Sequence, residues 1–339
     1  MSVRAMICGC SGLELTADEE AFLREAQPWG LILFKRNILT PQQVTALTAR
    51  FRDIVGRADA PVLVDQEGGR VQRLGPPHWR KYPAGAAFEQ MAGVKDGQRE
   101  RLAYLGARLI AEDLRTLGVT VDCLPVLDVP VEGGHNVIGD RAYSRDPETV
   151  AGLGAAAARG LMAGGVMPVM KHIPGHGRAG ADSHLELPVV TASRAELEAS
   201  DFAPFRACVG LPAAMTAHVV YTALDPDRPA TTSPTVIQDI VRGLIGFDGL
   251  LMSDDLSMKA LTGSFREKAE ALTAAGVDMA LHCNGDLTEA GGVAEGTPML
   301  AGDALRRAEA ALAAIAGAPQ DFDPVDAWAQ IETGLAMIA

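Results

Sequence analysis

Apolar residues fall along this chain in two alternating rhythms. Short, nearly unbroken apolar runs bounded by turn residues occupy positions 5–8, 30–34, 61–65, 122–129, 165–172, 212–220, 249–254 and 277–283. Between or after them lie stretches with helical spacing, at 41–55, 101–117, 147–162, 195–208, 234–244 and 303–316. The short runs predict strands, and their lack of polar/apolar alternation predicts burial on both faces, as in parallel sheets covered by helices. Eight β-then-α units predict a closed (β/α)8 (TIM) barrel, an α/β fold in which residues 1–339 form one domain. A doubly wound sheet is the competing arrangement. It calls for a Gly-rich phosphate turn after the first strand, and Cys8-Gly9-Cys10-Ser11-Gly12 is only a faint version of one, with no acidic residue at the required distance. The Gly-rich stretch 285–296 reads as a loop, with one or two helices closing the chain.

Composition narrows the class. With 339 residues, 48% hydrophobic and 22% charged, the chain is neither disordered nor fibrous. A net charge of -13 without a Lys/Arg stripe argues against a nucleic-acid partner. The cysteines (Cys8, Cys10, Cys123, Cys208 and Cys283) are odd in number and lack C-x-x-C spacing, so they read as reduced core thiols. The first residues lack the apolar length of a secretory signal. The longest uncharged stretch, 207–224, is broken by Gly210, Pro212, His218 and Tyr221, which suits a helix end and a strand rather than a membrane span. A cytoplasmic location without membrane or obligate protein partner is expected.

In such a barrel, reactive groups sit where the strands end. The third strand ends in Asp65, the fourth in Asp128, the fifth in Lys171 and His172, the sixth near His218, the seventh in Asp254 and Asp255, and the eighth in His282 and Asn284. Six polar ends at one rim predict a pocket there. The densest segment is Lys171-His172-Ile173-Pro174-Gly175-His176-Gly177, followed by Asp182-Ser183-His184, in which Asp182 is close enough to orient the His184 imidazole. These histidines could also suggest a metal, but Pro174 and Gly175 keep His172 and His176 off a common helix face. In Ser253-Asp254-Asp255-Leu256-Ser257, neighbouring acids point to opposite sides of a strand, so one reacts and the other supports or caps. The run from Asp65 to Arg73 offers acids, amides and guanidinium groups on a Gly-Gly turn, a mixture suited to holding several hydroxyls.

These three segments, in this order, resemble the signature segments of the bacterial β-N-acetylhexosaminidases of glycoside hydrolase family 3. The resemblance spans most of the chain and is to the single-domain type. It implies that Asp254 is the nucleophile and that His184, oriented by Asp182, is the general acid/base. It further implies that Asp65, Arg73, Arg141, Lys171 and His172 hold a terminal GlcNAc, with Arg141 carried by a weaker motif, Gly139-Asp140-Arg141-Ala142-Tyr143. The substrate implied is a peptidoglycan fragment, GlcNAc linked to 1,6-anhydro-MurNAc with or without peptide, and no cofactor or metal is called for. Chemically, one imidazole near its ordinary pKa can serve as acid and then base around neutral pH, replacing the second carboxylate of most retaining glycosidases. A phosphorylase using the same site, a metal-dependent hydrolase and a silent sugar-binding barrel are the alternatives. The loop 174–184, rich in small residues, is expected to be mobile.

Overall fold

The computed structural model describes residues 2–91, 97–134, 136–180 and 186–338. Eight parallel strands close into a barrel: β1 (Arg4–Gly9), β2 (Pro28–Leu33), β3 (Val62–Val64), β4 (Val121–Asp122), β5 (Met167–Ile173), β6 (Ala213–Thr216), β7 (Leu250–Asp255) and β8 (Met279–His282). Each pairs with its sequence neighbours, and β8 returns to β1 through Met6–Ala280 and Cys8–His282. The (β/α)8 expectation is met.

Side chains show why the strands read as unbroken apolar runs. Ile7, Leu63, Leu250 and Met252 fill the barrel interior beside Val169, Met215 and Met279. Their neighbours Met6, Cys8, Val62, Val64 and Leu251 turn outward into the layer shared with the helices. Both sides of each strand are therefore dry. Helices such as Pro41–Val55, Gln98–Thr116 and Pro147–Ala163 cover the outside. The first two of the three begin differently: Thr40 caps Pro41–Val55 through Gln43 N, whereas Gly97 before Gln98–Thr116 makes no side-chain cap. All five cysteines are buried free thiols. Among the described residues, no helix is long and apolar enough to cross a membrane.

Several boundaries differ from expectation. The stretch 285–296 is not a loop: Leu287–Gly296 is a helix, capped by Asp286, which accepts from Thr288 N and Glu289 N at 2.8 and 3.0 Å. Its glycines serve packing, since a Cβ on Gly296 would lie 2.4 Å from the Arg266 carbonyl oxygen on the neighbouring helix Phe265–Ala275. The run 122–129 contributes only Val121–Asp122 and a bridge from Val126 to Lys171, because Pro125 cannot donate to a ladder. The run 212–220 divides into β6 and a separate pair in which Val220–Tyr221 meets Val189–Val190 outside the barrel. The stretch 195–208 starts at Arg194 and widens into a π-helical turn over Leu197–Asp201. A helix at Ala17–Ala26, with a Thr16/Glu19 capping box, fills the gap between β1 and β2.

Candidate active site

The C-terminal ends of the strands surround a cavity of about 310 Å³. Asp65, Arg73, Arg141, Lys171, His172 and Asp254 all line it, so six of the eight residues singled out from the sequence converge. His184 and Asp182 lie outside the described residues. Phe34, Ile138, Met215, Met258 and Leu281 add apolar surface among the charges.

One wall is an ion-pair network. Lys171 Nζ lies 2.8 Å from Asp65 Oδ1 and 2.6 Å from Glu67 Oε1. Arg73 Nη2 donates to Asp65 Oδ2 at 3.0 Å, and Arg141 grips Glu67 with two 2.8 Å hydrogen bonds from Nε and Nη2. Burial alone would raise the Asp65 and Glu67 pKa values. Lys171 with Arg73 and Lys171 with Arg141, respectively, reverse that and hold both below the usual carboxylate range. Burial likewise opposes the Lys171 charge, but Asp65 and Glu67 raise its pKa. The hairpin Gln66–Gly68/Val71–Gln72 carries this wall, and it is held by Gln66, whose Oε1 accepts from Arg73 N at 2.9 Å and Leu74 N at 3.0 Å. Glu67 was not singled out from the sequence, although it stands inside the Asp65–Arg73 motif, because only the fold brings Arg141 and Lys171 to it.

The second wall rises from β5. Lys171 and His172 adjoin in sequence yet both line the cavity, and the peptide between them is cis. His172 Nδ1 lies 2.7 Å from Asp128 Oδ2, while Asp128 Oδ1 accepts from His172 N at 3.2 Å and His176 N at 2.6 Å. Asp128 is fully buried; the His172 interaction overcomes burial and brings its pKa down to about 2. A carboxylate thus orients His172 and leaves Nε2 for the cavity. Burial and the neighbouring His172 lower the His176 pKa to about 4.

The described part of the 174–184 loop, residues 174–180, makes several contacts with its surroundings. Tyr221 Oη donates to Gly175 O at 2.6 Å, Arg178 Nε binds Asp201 Oδ2 at 2.7 Å, and Ala179 is buried. Gly177 is needed for close approach, since a Cβ there would sit 2.0 Å from the Val129 carbonyl oxygen.

The third wall is the end of β7, where both acids line the cavity; this corrects the expectation that they point to opposite sides, the register against β8 shifting between Met252 and Asp255. Asp255 is committed: Oδ1 accepts from Ser257 N at 3.0 Å and Cys283 N at 3.1 Å, and Oδ2 accepts from Ser257 Oγ at 2.5 Å. Asp254 faces the cavity, and its one hydrogen bond among the described residues is from Asp255 N to Oδ1, at 2.8 Å. Burial pushes its pKa up, but His172, His218, the Asp255 N–H and Lys171 outweigh burial and keep it ionised. At the eighth strand end the expectation fails in part. His282 Nε2 and Asn284 Nδ2 turn to Glu289 Oε2, at 3.1 and 2.5 Å, and neither lines the cavity.

A (β/α)8 barrel with an ionised, lightly bonded carboxylate facing a polar pocket has the make-up of a glycoside hydrolase. Sequence comparison agrees. The model of the glycosyl hydrolase family 3 N-terminal domain matches residues 4–304. The β-hexosaminidase of Tolumonas auensis is 42% identical over 280 residues, covering 80% of each chain. That of Pseudomonas aeruginosa PAO1 is 41% identical over 284 residues, covering 83% of this chain and 82% of its own. NagZ from Neisseria gonorrhoeae, solved with N-trifluoroacetyl-D-glucosamine, superposes with a TM-score of 0.85 at 33% identity, over 100% of this chain and 99% of that one. A family 3 β-N-acetylglucosaminidase from Paenibacillus also gives 0.85, at 31% identity, over 97% of this chain but 66% of its own. The chain belongs to glycosyl hydrolase family 3, and it is an enzyme of the glycoside hydrolase class.

Proposed function

We propose that the protein is a retaining exo-β-N-acetylglucosaminidase of a single catalytic domain, acting in the cytoplasm on GlcNAc-1,6-anhydro-MurNAc fragments of peptidoglycan, with or without peptide. The observation that carries the mechanism is the state of Asp254. Asp65, Glu67, Asp128 and Asp255 are each taken up by cations, an imidazole or several N–H groups, while Asp254 is ionised, faces the cavity and accepts one backbone hydrogen bond among the described residues. A carboxylate in that state is available as a nucleophile.

Asp254 attacks the anomeric carbon as the glycosidic C–O bond breaks, and the leaving oxygen takes a proton from His184, oriented by Asp182. Water then attacks the glycosyl ester and gives its proton to His184, releasing the sugar with its configuration retained. Asp65, Arg73, Arg141, Lys171 and His172 present donors and acceptors in fixed directions to the hydroxyls and acetamido group of one terminal sugar. The β-hexosaminidase relatives and the N-trifluoroacetyl-D-glucosamine in the NagZ complex support GlcNAc as that sugar.

The test is hydrolysis of a chromogenic β-GlcNAc glycoside, with the product anomer followed by NMR and a fluorinated GlcNAc-type probe used to trap the intermediate. The β anomer should appear first, Asp254 should carry the label, and Asp254→Ala should abolish turnover in a folded protein. Labelling of Asp255 or Asp65, or first release of the α anomer, would overturn the reading. Release of a sugar phosphate when phosphate is added would favour the phosphorylase.

A further inference from the structure

His218 follows β6 and is completely buried, outside the cavity wall. Its Nε2 lies 3.1 Å from the carbonyl oxygen of Asp255. A carbonyl can only accept, so Nε2 carries a proton. Nδ1 lies 2.7 Å from Thr231 Oγ1, which is itself 2.7 Å from Thr216 Oγ1 and 3.1 Å from the Ala217 carbonyl, and both threonines are fully buried. The Asp255 carbonyl fixes the tautomer; in the neutral imidazole Nδ1, at 2.7 Å, then accepts from the Thr231 hydroxyl in competition with the Ala217 carbonyl at 3.1 Å, and the hydroxyl pair fixes the ring orientation. Asp255 is thereby held by its side chain, through Ser257 and Cys283, and by its carbonyl, through His218, while its N–H donates to Asp254.

We propose that His218, oriented by Thr231 and Thr216, is a positioning residue that fixes the peptide beside Asp254 and so aims the nucleophile. The inference rests on the reading of Asp254 as nucleophile. Any buried imidazole must satisfy both ring nitrogens; what is particular here is that the acceptor is the carbonyl of Asp255, the residue whose N–H donates to Asp254. The charged and titratable groups facing His218 are Asp254 and Asp255 from β7 and Lys268 from helix Phe265–Ala275; those facing Asp254 are Lys171 and His172 from β5, His176 from the loop after it, Cys283 after β8 and His218 itself.

The experiment compares His218→Leu, His218→Gln, Thr231→Val and Thr231→Ser in the full chain, measuring kcat, KM, the pH profile, the rate at which the fluorinated probe labels Asp254, and Tm. Misplacement of a reacting group by about 1 Å can cost about a hundredfold. His218→Leu should therefore lower kcat and the labelling rate by about tenfold to a hundredfold, with KM changed less than about twofold. The acid limb of kcat/KM should move to higher pH, because a loosened Asp255 N–H stabilises the Asp254 charge less. His218→Gln, whose amide can still donate to the Asp255 carbonyl, should recover most of the rate. Thr231→Val, nearly isosteric and removing only the hydroxyl, should show the same changes more weakly, and Thr231→Ser should restore them. Lower Tm with unchanged labelling rate and pH profile in folded His218→Leu or Thr231→Val would overturn the positioning role while leaving the nucleophile intact. If the probe fails to label Asp254 in the unaltered enzyme, the nucleophile reading falls and takes this inference with it.

Discussion

Replacing Lys171 by Met tests whether the buried ion-pair wall of the cavity depends on its central cation. Lys171 and Glu67 have side chains only 2% and 3% exposed, and Lys171 is shared by Asp65 and Glu67. Methionine keeps much of the stem and removes the charge, leaving Arg73 with Asp65 and Arg141 with Glu67. Breaking a buried pair by deleting one partner costs about 3–5 kcal/mol. An unfolding entropy of about 2.1 cal/mol/K per residue gives about 0.7 kcal/mol/K for a chain of 339 residues, so Tm should fall by roughly 4–7 °C. The pH dependence follows from the signs of the shifts. Asp65 and Glu67 are held below their unfolded values, so their contribution is present above about pH 4 and fades as pH falls through the folded values. Lys171 is raised, so its contribution is complete below about pH 10 and fades only above that. The Tm gap between wild type and variant should hold from about pH 5 to 9 and narrow on acidification below about pH 4. Circular dichroism melts across this range, with kcat/KM on a β-GlcNAc glycoside at pH 7, measure both halves, and kcat/KM should fall if Lys171 also holds the sugar. A Tm within about 1 °C of wild type at pH 7, or a gap that stays constant into acid, would refute the assignment of this stabilisation to Lys171.

Two further outcomes are expected. Gly177→Ala places a methyl group 2.0 Å from the Val129 carbonyl oxygen and so pushes the loop back by about 1 Å; turnover should drop by at least about tenfold, checked by steady-state kinetics on folded protein. Asp201 is buried, which raises its pKa to about 6 against the opposing pull of Arg178. A raised acid stabilises the folded state at low pH and loses that contribution as pH rises through the folded value, here about 3 kcal/mol between about pH 4 and 7. Asp201→Asn should remove this component from the slope of Tm against pH, and an unchanged slope would contradict it.

How far the sequence could be read followed from what each residue responds to. Strands buried on both faces, such as Leu250-Leu251-Met252, announce themselves because every side chain must be apolar. Rim residues are legible for the same reason inverted: a charge that ends such a run, like Asp65 or Asp254, marks where the dry interior stops. The glycines of Leu287–Gly296 misled because local propensity suggests a loop, whereas their cause is the backbone of Phe265–Ala275, which no local pattern contains. Glu67 and Asp128 escaped a role because their partners, Arg141 and His172, stand 74 and 44 positions away. His218 was visible as a polar strand end, but that its ring faces the Asp255 carbonyl rather than the cavity depends on the register of β6 and β7.

Closure of the sheet has a bearing on how the protein behaves at high concentration. Because β8 returns to β1, the ring presents no row of unpaired backbone groups onto which a strand from another molecule could add. Apolar segments such as Val62–Val64 and Leu250–Met252 are paired on both sides and shielded by helices. Such segments become adhesive only once the ring opens. Strand addition to the barrel is then governed by the population of opened molecules, and whatever keeps the ring shut, a bound sugar included, doubles as protection against it.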